Sequence, residues 1–365
     1  MKNKTKSQNY HDYLKLESLL SCQELLSDQA GEKAHDEMLF IITHQVYELW
    51  FKQILFELDS IFEVFDRDKI DESHIGVVVG RLERINEIQQ LLIDQIKILE
   101  TMTPMDFLNF RDLLTPASGF QSAQFRLIEN KFGLKNINRH GYGGVDYKSK
   151  IDKRETELVQ ESEQSLSLFD LIEQWLERTP FLVFDEFDFW DQYRVAVQRM
   201  ITKDKNIIKV NEKLPKDEKD NYLKQYKSTE KMFMSFFDEE IFSKRLESGE
   251  NRLSYKATHA ALLILLYRDQ PILHNPYRLL SKLIDLDELL TTWRYKHYLL
   301  ATRMIGRKIG TGGSVGASYL KKATSKHRIF DDLTSLTTFL IPRSDLPDLP
   351  KKVLKSLSFY YESKG

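Results

Sequence analysis

The chain has 365 residues, with 53 lysines and arginines against 55 aspartates and glutamates, a formal charge of −2, and 41% hydrophobic residues. The even charge balance excludes a general nucleic-acid binder built on a strongly basic domain, and the apolar content excludes global disorder. The single cysteine, Cys22, excludes an intrachain disulfide framework and a cysteine-rich zinc site.

The length exceeds the roughly 250–300 residues at which one core usually stops growing. One large domain with an accessory subdomain, or two domains sharing a core, is therefore expected. Only 15 glycines and 9 prolines interrupt the chain, which favours long helices over many short strands. The polar stretch 1–9 has no apolar secretory segment. No apolar run approaches the roughly 20 residues that cross a bilayer. A soluble cytoplasmic protein without membrane or nucleic-acid contact is expected.

In chain order, residues 10–20 carry a short helical pattern through Tyr10, Tyr13, Leu14, Leu16, Leu19 and Leu20. The clearest helix is expected from Asp36 to Phe65, where Phe40, His44, Tyr47, Phe51, Leu55, Leu58 and Phe62 recur at steps of three and four and share one face. Residues 82–102 repeat that period through Leu82, Ile85, Ile88, Leu91, Leu92, Ile96 and Leu99. Residues 146–255 are charge-rich, and 203–232 hold nine lysines against six acidic residues. That stretch reads as the tip of a solvated helical hairpin, with a basic contact arm as the alternative. Helical periodicity returns over Ala260–Tyr267 and Leu283–Ile309, before a tail punctuated by Pro342, Pro347 and Pro350. No run sustains the period-2 alternation of a half-buried strand. The fold class is all-α.

Two of the nine histidines stand within apolar helix faces: His44, and His297 with Leu300, Ala301 and Met304. Each is either a core histidine or a neutral imidazole available to a metal, a haem or a substrate. Non-haem metal chemistry fits poorly, because there is no His-Glu-x-x-His and only one Glu-x-x-His, at Glu32 and His35. Ser118 lacks a nucleophile elbow, and Cys22 has no evident activating group. The run Gly310-Thr-Gly-Gly-Ser-Val-Gly316 follows a helix rather than a strand, so it fails the context of a dinucleotide fingerprint. It is either a linker or a loop that closes over a small polar group with its amides and Thr311. Arg111, beside Phe107 and Phe110, suits either bidentate capture of a carboxylate or a structural ion pair.

Four blocks extend these observations: His35-Asp-Glu-Met-Leu-Phe-Ile-Ile-Thr-His44-Gln-Val-Tyr-Glu-Leu-Trp-Phe-Lys-Gln53, Phe110-Arg-Asp-Leu-Leu-Thr-Pro-Ala-Ser-Gly-Phe-Gln-Ser122, Trp293-Arg-Tyr-Lys-His297 and Gly310-Thr-Gly-Gly-Ser314. In that order they closely resemble the tryptophan 2,3-dioxygenase family, over about Tyr10 to Pro350, and the charge-rich segment resembles its longer, animal-like branch. The resemblance implies an enzyme using haem b, ferrous when active, that cleaves the indole C2–C3 bond of L-tryptophan with O2 to give N-formylkynurenine. It implies a large helical haem-binding domain over 34–345 with a charge-rich helical subdomain inserted at about 146–255. Residues 346–365 are then a tail. The assembly it implies is a homotetramer, a dimer of dimers, with residues 1–33 reaching a neighbouring subunit.

Residue by residue, His297 matches the family's iron ligand, and its lysine and arginine neighbours are expected to face away. Ser118 matches a serine near a haem propionate. His44 matches the distal histidine that binds the indole N–H. Phe40 and Phe107 match indole-packing aromatics, Arg111 the carboxylate clamp, and Thr311 the contact to the ammonium and carboxylate end. Tyr10 and Tyr13 match aromatics that enter a neighbouring subunit's site. One departure is visible: the glycine run continues as Val315-Gly-Ala317-Ser318-Tyr319-Leu, where the family commonly has Ser-Gly-Tyr-His-Tyr-Leu.

Overall fold

The computed structural model describes residues 9–67, 70–134, 147–179, 183–184, 187–306, 308, 310, 320, 324 and 327–357. Thr311 and the departure at Val315–Ser318 lie outside these described residues.

The chain opens with two single-turn helices, α1 (Tyr10–Leu14) and α2 (Leu16–Leu20), then α3 (Leu26–Gln29). The long helix α4 (Glu37–Phe65) lies where the apolar stripe placed it. Its first residue is fully buried, and the Glu37 carboxylate accepts the Leu26 and Ser27 amides at 2.8 and 2.9 Å. That carboxylate caps α3 and ties the N-terminal segment to α4.

Helix α5 (Glu72–Leu99) starts ten residues before the expected 82. Asp71 and His74 form a reciprocal cap at its start. Two glycines in the first turns, Gly76 and Gly80, dilute the apolar period there. It stops short of 102 because Thr103 and Asp106 cap the next helix, α6 (Pro104–Arg111), with Pro104 at its first position. Helix α7 (Ala123–Phe132) is capped by Ser122 and ends at Gly133. There φ is +116° and a Cβ would stand 2.6 Å from Phe169 Cβ, so glycine is required.

The charge-rich segment folds as α8 (Lys153–Gln164), α9 (Leu168–Glu177), α10 (Phe189–Val210), α11 (Lys216–Phe236) and α12 (Glu239–Glu247). Helices α10 and α11 form a hairpin, held near its middle by Lys205 Nζ to Glu230 Oε2 at 2.5 Å. A two-residue antiparallel pair, Val183–Phe184 with Phe187–Asp188, precedes α10 and contains the only strands among the described residues. Then come α13 (Tyr255–Leu266), the 32-residue α14 (His274–Ile305) ended by Gly306 at φ +59°, α15 (Asp331–Ser335) and α16 (Lys351–Leu357). The all-α expectation holds. No helix among the described residues is long and apolar enough to cross a membrane.

Helix α5 packs against both α4 and α14. Their seam buries Ile54, Leu58 and Ile61 of α4, Val78, Leu82 and Ile85 of α5, and Leu279, Leu283 and Leu286 of α14. Each such side chain contributes about 1.5–3 kcal/mol. Helix α13 is apolar all round and lies inside the same cluster, which also takes Phe169, Tyr193, Val197 and Phe236 from the charge-rich segment. Beyond the middle of α14 the packing changes. Ile96 and Leu99 at the end of α5 and Leu300 and Met304 of α14 form a separate small cluster that also lines a cavity.

Candidate active site

The cavity has a volume of about 300 Å³ and is walled by α4, the end of α5, α6, α7 and the second half of α14. Its walls are mostly apolar, with a few charged and imidazole groups, the composition expected of a small-molecule site.

Helix α4 contributes Phe40, His44, Tyr47, Glu48 and Phe51, a run at the three- and four-residue steps of one face. His44 Nδ1 lies 2.7 Å from the Phe40 carbonyl oxygen. A carbonyl only accepts, so Nδ1 carries the proton and Nε2 remains an acceptor. Burial lowers the His44 pKa, against the opposing pull of that carbonyl and the Glu48 charge. Gln124 holds Glu48 in place by donating to both its backbone oxygen and its carboxylate at 2.9 Å.

Helix α14 contributes Trp293, Arg294, His297, Leu300, Ala301 and Met304. Burial, with a smaller contribution from the nearby His44, pushes the His297 pKa down to about 4, so the imidazole is neutral across the physiological range. Trp293, one turn earlier, stacks on it with ring centroids 5.3 Å apart and planes 28° apart. Among the described residues, neither His297 ring nitrogen has a hydrogen-bond partner. The two helices meet just behind the histidines, where Tyr47 and Trp293 touch at 6.2 Å. Tyr47 is pinned there, its hydroxyl donating to the Leu92 carbonyl at 2.5 Å.

An aromatic corner lies beside His44. Phe40 is 4.1 Å from the His44 ring, 5.8 Å from Phe107 and 5.6 Å from Phe110. One turn after Phe107, Arg111 lines the cavity with its side chain 17% exposed, and its Nη1 donates to Asp112 Oδ1 at 3.2 Å. Asp112 is 90% exposed, so its hold on the guanidinium is shared with water. Ser118 lines the wall between α6 and α7 and caps a short turn with Gln121.

The structure thus brings Phe40, His44, Phe107, Arg111, Ser118 and His297 to one cavity. Tyr10 and Tyr13 are not among its walls; they stand on α1, 75% and 71% exposed. The expectation that the basic neighbours of His297 face away is corrected in part. Arg303 is exposed, but Arg294 is buried and lines the cavity, because it is drawn inward by Glu129 on α7. Sequence reasoning missed that pair, and Arg126 with it, because an arginine and a glutamate three apart on a short helix look like a surface pair. The only available signal for Arg294 was its spacing, three residues before His297 on the same helix.

The family model for tryptophan 2,3-dioxygenase matches residues 1–340. The chain belongs to the tryptophan 2,3-dioxygenase family. The tryptophan 2,3-dioxygenase of Bdellovibrio bacteriovorus is 53% identical over 354 residues, covering 97% of this chain and 98% of that one. Those of Dictyostelium discoideum and Xenopus tropicalis are 48% and 46% identical, covering 96% and 95% of this chain and 88% and 86% of theirs. Such coverage carries the match across the charge-rich segment in bacterial and animal members of the tryptophan 2,3-dioxygenase family alike.

Proposed function

We propose that this chain cleaves the indole C2–C3 bond of L-tryptophan with O2 to give N-formylkynurenine, using haem b held by His297, as the first step of tryptophan breakdown through kynurenine. The observation that carries it is the pairing of two histidines, both with pKa values lowered by desolvation, on one apolar cavity, with an arginine beside the aromatic corner.

The residues fit an iron porphyrin. Iron takes a neutral imidazole, and His297 is neutral, stacked on Trp293 and without a competing hydrogen bond among the described residues. The apolar walls suit the ring, and Ser118 would meet a propionate. When bound, the haem supplies the iron that activates O2 for insertion across the indole bond.

The other steps belong to side chains. Phe40 and Phe107 hold the indole by ring packing. His44 Nε2 accepts the indole N–H and fixes the orientation of the ring. It need not take that proton, since an indole N–H is a very weak acid. Arg111 clamps the substrate carboxylate, and Thr311 meets its ammonium and carboxylate end. Tight packing around the aromatic corner excludes water.

The assembly we propose is a homotetramer, a dimer of dimers, in the cytoplasm. Residues 1–33 form the arm that brings Tyr10 and Tyr13 to a neighbouring subunit, 34–345 the dioxygenase unit with the insertion at about 146–255, and 346–365 a tail. The exposure of Tyr10, Tyr13 and Leu20, at 75%, 71% and 72%, supports such an arm.

An anaerobic spectrum of the haem-reconstituted, reduced protein, followed by L-tryptophan and air, tests the reading. A haem band followed by N-formylkynurenine is expected. A haem band without product would refute the catalytic reading, and no haem band would refute the cofactor.

A further inference from the structure

The outward face of α10 carries a groove of about 710 Å³ whose described lining residues, from Val195 to Val210, all belong to that one helix. They recur at the three- and four-residue steps of an amphipathic helix face. The stripe runs for about four turns, roughly 22 Å. The other side of α10 is spent on the core, where Tyr193, Ala196, Val197 and Ile201 are buried. Aliphatic side chains stand at both ends of the stripe and face solvent. Val195 is 55% exposed at one end, and Ile207 and Val210 are 55% and 76% exposed at the other. Arg199 and Lys203 stand between them.

These two central cations are unanswered. Among the described residues, neither the Arg199 nor the Lys203 side chain has a hydrogen bond or an ion pair. The two acids of α10 are engaged elsewhere. Asp191 pairs with Arg194 at 3.5 Å, and Asp204 accepts from the Tyr226 hydroxyl at 3.4 Å. Glu230 of α11 reaches this edge of α10 through Gln198 Nε2 at 3.0 Å, and its other oxygen is taken by Lys205 Nζ at 2.5 Å. Lys205 is therefore a strut of the hairpin, whereas Lys203, two residues earlier, faces the groove.

We infer that this face of α10 is a docking site for one helix of another protein, an acidic amphipathic helix with aspartates or glutamates in its middle turns and aliphatic residues at both ends. A straight stripe about four turns long suits a helix laid alongside it. Carboxylates on Arg199 and Lys203 give charge-assisted bonds that set the direction and register of the partner. The aliphatic ends then exclude water from those bonds. A second copy pairing through the same face fits poorly: the stripe is centred on Thr202 and Lys203, so a two-fold axis brings Lys203 against Lys203. A bilayer surface fits poorly as well, because three aliphatic side chains without an aromatic one leave little to bury at the headgroups. Two cations on a chain of net charge −2 do not make a nucleic-acid track.

Fluorescence anisotropy of the full-length protein with a labelled synthetic helix tests this. The probe is a peptide of about five turns built from alanine, leucine and glutamate, with the glutamates in the middle turns and the leucines in the outer ones. Saturable binding that weakens as salt is raised is expected. The same peptide with lysine for glutamate is expected not to bind, a comparison that needs no variant. Reversing both cations, Arg199→Glu with Lys203→Glu, should weaken the acidic peptide at least about tenfold. Val210→Asp should weaken it by a similar factor, roughly tenfold. All three positions are exposed, and an unchanged Tm of the variants shows that the fold is kept. No binding of the acidic peptide overturns the proposal, as does equal binding of the basic one or full binding by the charge-reversed variant. Binding to phosphatidylserine vesicles that the charge reversal abolishes, without peptide binding, assigns the face to a membrane and overturns it. Self-association in sedimentation velocity that Val210→Asp abolishes, again without peptide binding, assigns it to a second copy and overturns it too.

Discussion

Replacing Arg111 with methionine isolates the carboxylate clamp proposed for it. The swap keeps an unbranched stem against Phe107 and removes the guanidinium. Charge-assisted bonds to a partly desolvated carboxylate contribute about 1.5–3 kcal/mol. The native guanidinium gives up its pairing with Asp112 to make them, but Asp112 is 90% exposed, and such a pair is worth at most about 1 kcal/mol. The difference is about 2 kcal/mol, or roughly 30-fold in affinity at 1.4 kcal/mol per decade. Steady-state kinetics with L-tryptophan and with tryptamine, which lacks the carboxylate, separate the clamp from packing. The expected result is a KM for tryptophan raised roughly 30-fold and a KM for tryptamine unchanged. If both rise by the same factor, Arg111 supports the aromatic corner and does not bind the carboxylate.

His297→Ala is expected to lose the iron ligand and nearly all activity, and full activity would remove the assignment. His44→Ala is expected to keep a normal Soret band while turnover falls roughly tenfold or more; loss of haem would refute its place on the substrate side. His259 gives a stability test away from the site. It is 2% exposed, its Nδ1–H donates to the Tyr255 carbonyl at 2.7 Å, and burial among Trp190, Phe236 and Tyr255 pushes its pKa down to about 4. The folded pKa lies below the unfolded 6.5, so unfolding takes up a proton. Stability present above about pH 6.5 is therefore lost as pH falls towards 4, by about 3 kcal/mol in all. Urea unfolding at pH 7.5 and pH 4.5 should show that loss reduced in His259→Phe, and parallel pH dependences in the two proteins would contradict it.

The frame of the site was legible because it rides on helices whose burial is one-sided. The stripe from Phe40 to Phe62 placed α4 to within a residue of its observed start, since every third or fourth position had to be apolar. The start of α5 was not legible from that pattern, because Gly76 and Gly80 occupy its first turns and the cap at Asp71 depends on a histidine side chain. The pairing of His44 with His297 was visible only as two imidazoles on two apolar faces. Desolvation by the surrounding helices lowers both pKa values, and that surrounding is a property of the assembled bundle.

The charged wall shows most clearly where local reading stops. Arg126 and Glu129 are three apart on a ten-residue helix, and nothing within that helix distinguishes them from a solvated pair. Their meaning comes from Arg294, which stands 165 residues beyond Glu129 in the chain. Glu129 answers one guanidinium on each oxygen, so its contact to Arg294 fixes α7 to α14. A helix position tolerates such a residue only when the partner helix supplies its counter-charge. The requirement therefore ties the placement of α7 to the rotation of α14, which is also the rotation that presents His297. A swap of Glu129 to leucine should for this reason disturb both halves at once: it removes the carboxylate that joins Arg126 of α7 to Arg294 of α14, the helix that carries His297, and thermal unfolding should show a lowered Tm.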